Sequence, residues 1–461
     1  MKKLIALLLA VLMVLGMAAC ASTPKEDTPA ETPAEDNTQT ENKTEEPAQD
    51  AEQTGETEGK KFEGKTLTMM MSMSESNATD AYYAQIAAFE EKYGCKVDVE
   101  AIPHGDEGEN LKLVRLATGT LADIYQTSVG AKFDEFSPTE NCLDVSGEAW
   151  ANNISDGYRS VVTYDGGVYA TPADTSNAAG VIYNTKVFAD LGIEIPETWD
   201  EFLDVCETIK AAGITPIAAP YAKQTNSQIP FLMNYYYVAQ ENPNFAEQYT
   251  NREIDLDSSA AFVRGLQKLN DMSQYINEDA LSTGMDECAM MLGDGTAAMM
   301  VIRTNILVTM AADCPDKIAD MDFFPLPDVD ADNRGVSYWL PMGWVINKNA
   351  AEPELAKAWC EFVTSQEGVD AYSAAVAPTG TFCLNEVDLS GVEMPQALVT
   401  AQEWVSTSST PVMEYFCRIK GSNQATICSM CATGEITAED ACQQIMADNV
   451  VDAQQKGFVG W

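Results

Sequence analysis

The chain runs to 461 residues, with 71 Asp or Glu against 27 Lys or Arg and a net charge of −44 at pH 7. A field of that sign repels the phosphate backbone, which excludes direct binding of DNA or RNA. Aliphatic and aromatic residues are spread through the last roughly 400 residues, a length that suits two domains rather than one.

Lys2 and Lys3 precede an apolar run from Leu4 to Leu15 that ends in Gly16-Met17-Ala18-Ala19-Cys20. The run is shorter than the roughly 20 residues of a membrane span and reads as a secretory signal over residues 1–19. Met17-Ala18-Ala19-Cys20 resembles a bacterial lipobox. The resemblance implies cleavage before Cys20, acylation of its thiol and new amino terminus, and a lipid anchor on the extracytoplasmic face of the cell membrane. More than one chain is needed, because a single acyl chain holds only weakly. From Ala21 to Lys61 the sequence is mostly Thr, Pro, Glu, Ala, Gln and Asp, with no aromatic and no aliphatic larger than Ala. Such a segment buries no core, and residues 20–61 read as an acidic, disordered tether.

The body opens on Lys65-Thr66-Leu67-Thr68-Met69-Met70-Met71, an apolar run that predicts a buried strand, with a polar loop from Ser72 to Asn77 at its carboxyl end. Tyr82, Tyr83, Ile86, Phe89 and Tyr93 follow at helical spacing, then a Gly94 stop and a second strand at Val97-Asp98-Val99. A helix through Leu111, Val114 and Leu116, closed by Gly119, leads to a third strand at Ala122-Asp123-Ile124-Tyr125. This β-α-β opening predicts an α/β fold with binding loops at the carboxyl ends of the strands.

Twelve cysteines are present, and lipidation of Cys20 leaves an odd number that cannot all pair. Cys206 and Cys360 sit in core-like segments, as small hydrophobes do. Cys428-Ser429-Met430-Cys431 has the spacing of half a zinc site or a redox pair, with Cys417 and Cys442 as conceivable partners. The same spacing on a helix accounts for it equally well. His104 is the single histidine and reads as loop, so a zinc site would be all cysteine. No cofactor is expected.

The middle of the chain carries Tyr164-Asp165-Gly166-Gly167-Val168-Tyr169-Ala170-Thr171-Pro172, Val181-Ile182-Tyr183-Asn184-Thr185-Lys186, Pro196-Glu197-Thr198-Trp199-Asp200-Glu201-Phe202 and Gly213-Ile214-Thr215-Pro216. Leu292-Gly293-Asp294-Gly295-Thr296-Ala297-Ala298-Met299, Phe324-Pro325-Leu326-Pro327, Gly343-Trp344-Val345-Ile346-Asn347-Lys348, Glu354 to Val363 and Ser365-Gln366-Glu367-Gly368 follow in order. Together these resemble the extracellular solute-binding proteins of ABC importers, in the group that includes maltose- and oligosaccharide-binding proteins. Several pieces also have a local reading. Thr198 predicts a helix cap with Asp200 and Glu201 in the first turn, Trp199 packs at its entrance, and Gly293-Asp294-Gly295 turns the chain into a strand.

The resemblance implies two discontinuous α/β lobes of the type II periplasmic-binding kind, joined by a hinge around an interlobe cleft. By matching motifs, residues 62–172 with 328–378 form the first lobe and residues 173–327 with 379–461 the second. The chain would then cross between Pro172 and Ala178, near Phe324 to Pro327, and near Ala377 to Thr381. It further implies a non-enzymatic monomer that captures a sugar or oligosaccharide by lobe closure and delivers it to an ABC permease. A subunit feeding a membrane sensor kinase and a secreted glycoside-acting enzyme are the other readings.

Pyranoses offer hydroxyls to polar side chains and a C–H face to aromatic rings. The resemblance places Ser74, Glu75, Gln126, Asp174, Asn177, Tyr221 and Gln224 at the cleft. Trp344 matches the tryptophan of a Gly-Gly-Trp segment that stacks ligand in sugar-binding relatives, although Met342 replaces the first glycine. After Ala297-Ala298-Met299 the family often has Gly-x-Trp; here Arg303, Thr304 and Asn305 stand instead. The exchange of a stacking ring for a fixed cation points to an acidic or strongly polar solute, with Arg303 and Asn305 among its contacts.

Overall fold

The computed structural model describes residues 60–73 and 78–461. The signal, the lipobox at Cys20, the tether up to residue 59, Ser74 and Glu75 therefore lie outside the described residues.

In chain order the principal elements are β1 (Thr66–Ser72), α1 (Ala78–Tyr93), β2 (Lys96–Ile102), α2 (Asp106–Thr118), β3 (Ile124–Thr127), β4 (Thr171–Pro172) and β5 (Asn177–Asn184). Then come α3 (Trp199–Ala211), β6 (Thr215–Ile217), α4 (Ala260–Asp271), α5 (Met285–Asp294), β7 (Ala297–Arg303), β8 (Met321–Phe324), β9 (Val336–Trp339) and β10 (Gly343–Ile346). The chain closes with α6 (Pro353–Val363), α7 (Gln366–Ala375), α8 (Gln396–Thr407), β11 (Ser409–Pro411), α9 (Gln424–Ala432) and α10 (Ala438–Gln455).

The first sheet has the order β2-β1-β3-β10-β4. β1 pairs parallel with β2 and β3, and β10 runs antiparallel between β3 and the edge strand β4, with Trp344 opposite Gln126. Leu67, Met69, Met70 and Met71 are all fully buried, because helices cover both faces of the parallel strands. Phe89 of α1 meets Trp359 and Phe362 of α6 in the same core.

The second sheet has the order β11-β9-β5-β7-β6, with β8 also paired to β5. Its core holds Val181, Ile182, Phe202, Leu292, Met299 and Phe323. Thr198 caps α3 through a capping box with Glu201, and Trp199 stacks on Phe202 at 5.1 Å while its indole N–H donates to Asp271 at 3.2 Å. Gly295 ends α5 in the left-handed region at φ 73°, which turns the chain straight into β7. A third cluster of helices, including α4, α9 and α10, packs beside this sheet around Tyr249, Leu266, Cys428 and Ile445. The i, i+3 pair Cys428 and Cys431 lies buried within α9, both thiols free. Burial pushes both thiols up, Cys431 to about 12, which disfavours the thiolate that metal or redox chemistry requires. Among the described residues, no cluster of His, Cys, Asp or Glu is placed to hold a metal ion.

Two expected boundaries move. The second crossing was expected near Phe324 to Pro327, with residues from 328 in the first lobe. The chain instead remains in the second sheet through β9, whose Ser337, Tyr338 and Trp339 pair with Ala179, Ala178 and Asn177, and it crosses at Leu340 to Met342. The third crossing was expected to leave the first lobe at Ala377 to Thr381. The chain does pass the hinge there, but Phe382, Cys383 and Leu384 return to the first core before α8 joins the second. Both shifts come from backbone pairing between segments distant in sequence, a signal that local composition does not carry.

Candidate functional site

The crossings lie side by side. Ser176 N–H donates to the Thr381 carbonyl at 2.8 Å, Ala173 N–H to Met342 at 3.0 Å, and the Thr304 hydroxyl to Thr379 at 2.8 Å. Gly380 allows the closest approach, since a Cβ there would stand 1.5 Å from the Ser176 carbonyl oxygen. The Tyr415 hydroxyl clasps Leu340 in the second crossing, accepting from its N–H at 2.8 Å and donating to its carbonyl at 2.9 Å.

On the first-lobe side, Asp174 accepts from the Thr175 N–H at 2.6 Å, from the Tyr82 hydroxyl at 3.3 Å and from the Tyr372 hydroxyl. Burial pushes its carboxyl up, and these donors oppose the shift without cancelling it. Gln126 is buried at the carboxyl end of β3; its Oε1 accepts from Ser72 N–H at 2.9 Å and its Nε2 has no hydrogen-bond partner. The following Thr127 and Ser128 are held by Glu109 of α2, whose carboxylate accepts from both hydroxyls at 2.7 and 3.0 Å and from Ser128 N–H at 3.0 Å. Lys112, with no exposed surface, pairs with Glu109 at 3.0 Å and donates to the Gln126 carbonyl at 2.5 Å. This buried pair fixes the end of β3 where it enters the cleft.

On the second-lobe side, the register sets Ala179 against Arg303 and Trp339 against Asn177. Continuing that register brings the turn at Asn305 opposite the start of β5, and Thr304 N–H donates to Ala178 at 2.8 Å. The Arg303 guanidinium lies over the Trp339 ring at 5.5 Å. Buried polar atoms of Asn177, Arg303 and Asn305 have no hydrogen-bond partner. Burial lowers the pKa of Arg303, with Tyr415 and Glu414 offsetting only part of it.

A cleft of about 1120 Å³ opens beside the hinge, between Ser128, Lys132 and Asp134 of the first lobe and Phe231, Tyr235, Tyr415 and Arg418 of the second. Arg418 reaches across it to Asp134 at 2.8 Å.

The structure thus gathers Gln126, Asp174, Asn177, Arg303 and Asn305 at the crossings. It does not gather Tyr221 or Gln224 there. Tyr221 is buried in the third cluster, and Gln224 is exposed, accepting from Thr426 at 3.3 Å. Trp344 is corrected most clearly. It has no exposed surface, with Trp359 and Tyr82 edge-on to its ring at 5.4 and 5.9 Å, so the stacking face expected of it is covered. Trp339, Tyr235, Tyr415 and Arg418 stand at the hinge and the cleft without a motif that marks them in the sequence. The runs Tyr235-Tyr236-Tyr237 and Tyr338-Trp339 are the sequence signals that bore on them.

Two α/β lobes, adjacent hinge segments and a cleft beside them define a type II periplasmic-binding fold. The chain belongs to the family of bacterial extracellular solute-binding proteins, whose model matches residues 75–370. It is similar to the multiple sugar-binding protein of Streptococcus mutans, 31% identical over 32% of this chain and 34% of that one. It is also similar to the melibiose/raffinose/stachyose-binding protein MelE of Bacillus subtilis, 28% identical over 40% of this chain and 39% of that one. These matches span little more than a third of the relatives' own length. Among solved structures, a Bacillus subtilis binding protein, msme, in an open conformation superposes with a TM-score of 0.72 at 19% identity, over 85% of this chain and 98% of that one. RafE in complex with raffinose gives 0.67 at 18%, over 83% and 98%. Among the described residues no helix is long and apolar enough to cross a membrane.

Proposed function

We propose that this protein is a lipid-anchored, extracytoplasmic receptor that captures a sugar or oligosaccharide between its lobes and delivers it to an ABC permease. The observation that carries the reading is the set of unpartnered polar side chains at the hinge, Gln126, Asn177, Arg303 and Asn305, in a chain of the solute-binding family. Buried donors and acceptors without partners are costly unless something else meets them, and a polyhydroxylated ligand does so. The names of the sugar-binding relatives support a carbohydrate over other solutes.

Small-angle X-ray scattering with raffinose, stachyose and a panel of uronates tests the reading. A bound sugar should lower the radius of gyration, because capture of this kind closes the hinge. An unchanged curve at saturation would count against capture by closure. The anchor is tested separately: Cys20→Ala should move the protein from the membrane pellet to the soluble fraction. Retention in the pellet after a salt wash would overturn the lipoprotein reading.

A further inference from the structure

The described arginines divide sharply. Arg115, Arg252, Arg264, Arg334 and Arg418 each hold a carboxylate, and Arg159 donates to the Ala151 carbonyl at 2.6 Å. Arg303 holds neither; its guanidinium rests on Trp339, and its Nε is buried without a partner. In a chain with a net charge of −44, acidic side chains abound, so an unpaired guanidinium at the hinge is not for want of partners. The acidic residue that acts on it electrostatically, Glu414, is itself held by Lys420. Beside Arg303, Asn177 and Asn305 each present a buried amide oxygen that lacks a donor.

We infer that this corner of the hinge, beside the cleft, binds a sugar acid: a carboxylate on the Nε edge of Arg303, and hydroxyl donors on the amide oxygens of Asn177 and Asn305. A carboxylate matches the planar, two-donor edge of a guanidinium, and the match is strongest where water is excluded. A neutral sugar supplies the hydroxyls but leaves the cation uncompensated. The inference rests on the sugar-binding reading above and narrows its substrate class.

The test is titration calorimetry of the full chain with matched pairs: glucuronate and glucose, galacturonate and galactose, and digalacturonate and its neutral disaccharide, with raffinose and glucose 6-phosphate alongside. At least one uronate should bind about tenfold or more tighter than its neutral partner. Arg303→Gln should remove that preference, with uronate affinity falling about tenfold or more further than that of the neutral partner, and Arg303→Lys should keep part of it, since the charge remains and the fork is lost. Matching thermal melts establish that both variants fold. Equal or tighter binding of the neutral partners, a preference that survives in Arg303→Gln, or tighter binding of glucose 6-phosphate than of every uronate overturns the inference. If raffinose or another neutral sugar binds and no uronate does, the sugar-acid inference falls and the sugar-binding reading stands. If none of these sugars binds while a non-sugar solute does, both fall.

Discussion

Asp328→Ala should lower the stability of the protein by about 3–5 kcal/mol, the cost of breaking a buried ion pair by removing one member. Asp328 is 3% exposed, accepts from Arg264 at 2.8 and 3.1 Å, and pairs with Lys268 at 2.9 Å. Lys268 is 2% exposed, donates to Asn234 at 2.7 Å and lies 4.6 Å from the Tyr237 ring centre. The Asp328 carbonyl accepts the first N–H of α3 from Trp199 at 2.8 Å, so the cluster joins α3, α4 and the segment after β8. Removing the carboxylate strands a cation with nowhere to hydrate. Denaturant unfolding should show the loss as a lower midpoint at unchanged slope.

The pH dependence follows from the directions of the two shifts. Burial raises the Asp328 carboxyl, but Lys268 and Arg264 outweigh it and hold the group below its ordinary value. Its contribution is therefore complete above the ordinary carboxylate pKa of about 4 and lost as pH falls through the folded value. Burial pulls Lys268 down to about 8 despite Asp328, and removing Asp328 lowers it further, so in the variant the lysine sheds its proton and the penalty for stranding it fades as pH rises toward and past that point. The deficit of Asp328→Ala should accordingly be widest at pH 5 to 7 and narrow on either side. A deficit independent of pH would mean that the loss is one of packing alone.

Trp344→Ala should cost about 3–5 kcal/mol of stability, as truncation of a buried tryptophan does when its surroundings cannot collapse into the space. The ring is fully enclosed by Trp359, Tyr82 and the strands on either side of β10, where Gln126 and Thr171 are its register partners. Trp344→Phe should keep most of that stability, with solute affinity changed by about twofold or less. A stacking platform behaves in the opposite way: truncation weakens binding and leaves the melting temperature in place. Thermal unfolding and calorimetry on the two variants separate the cases.

Much of the architecture was legible in local pattern. The methionine run at Met69 to Met71 is a buried parallel strand because it is apolar on both faces, and Thr198 with Glu201 marked a helix start through cap chemistry that acts over one turn. The site was legible only where it depends on a strand end. Asn177, Arg303 and Asn305 come together because β5 and β7 are neighbouring strands that terminate at the hinge. Tyr221 and Gln224 also follow a strand, β6, but it lies at the far edge of the sheet, beside the third cluster.

By itself the sequence determined the α/β class, the two-lobed plan and the membership of a solute-binding family. Each of these is written in periodicity, caps, turns or ordered motifs, which are local or collinear. Only the tertiary structure decided that Trp344 is enclosed while Trp339 lies under Arg303, that the second crossing falls at Leu340 to Met342, and that Glu109 with Lys112 holds the end of β3. Strand pairing between segments more than 150 residues apart governs these outcomes for β9 and β10. A one-residue change of register exchanges the face that a side chain presents, and no local pattern reports which partner a strand will find.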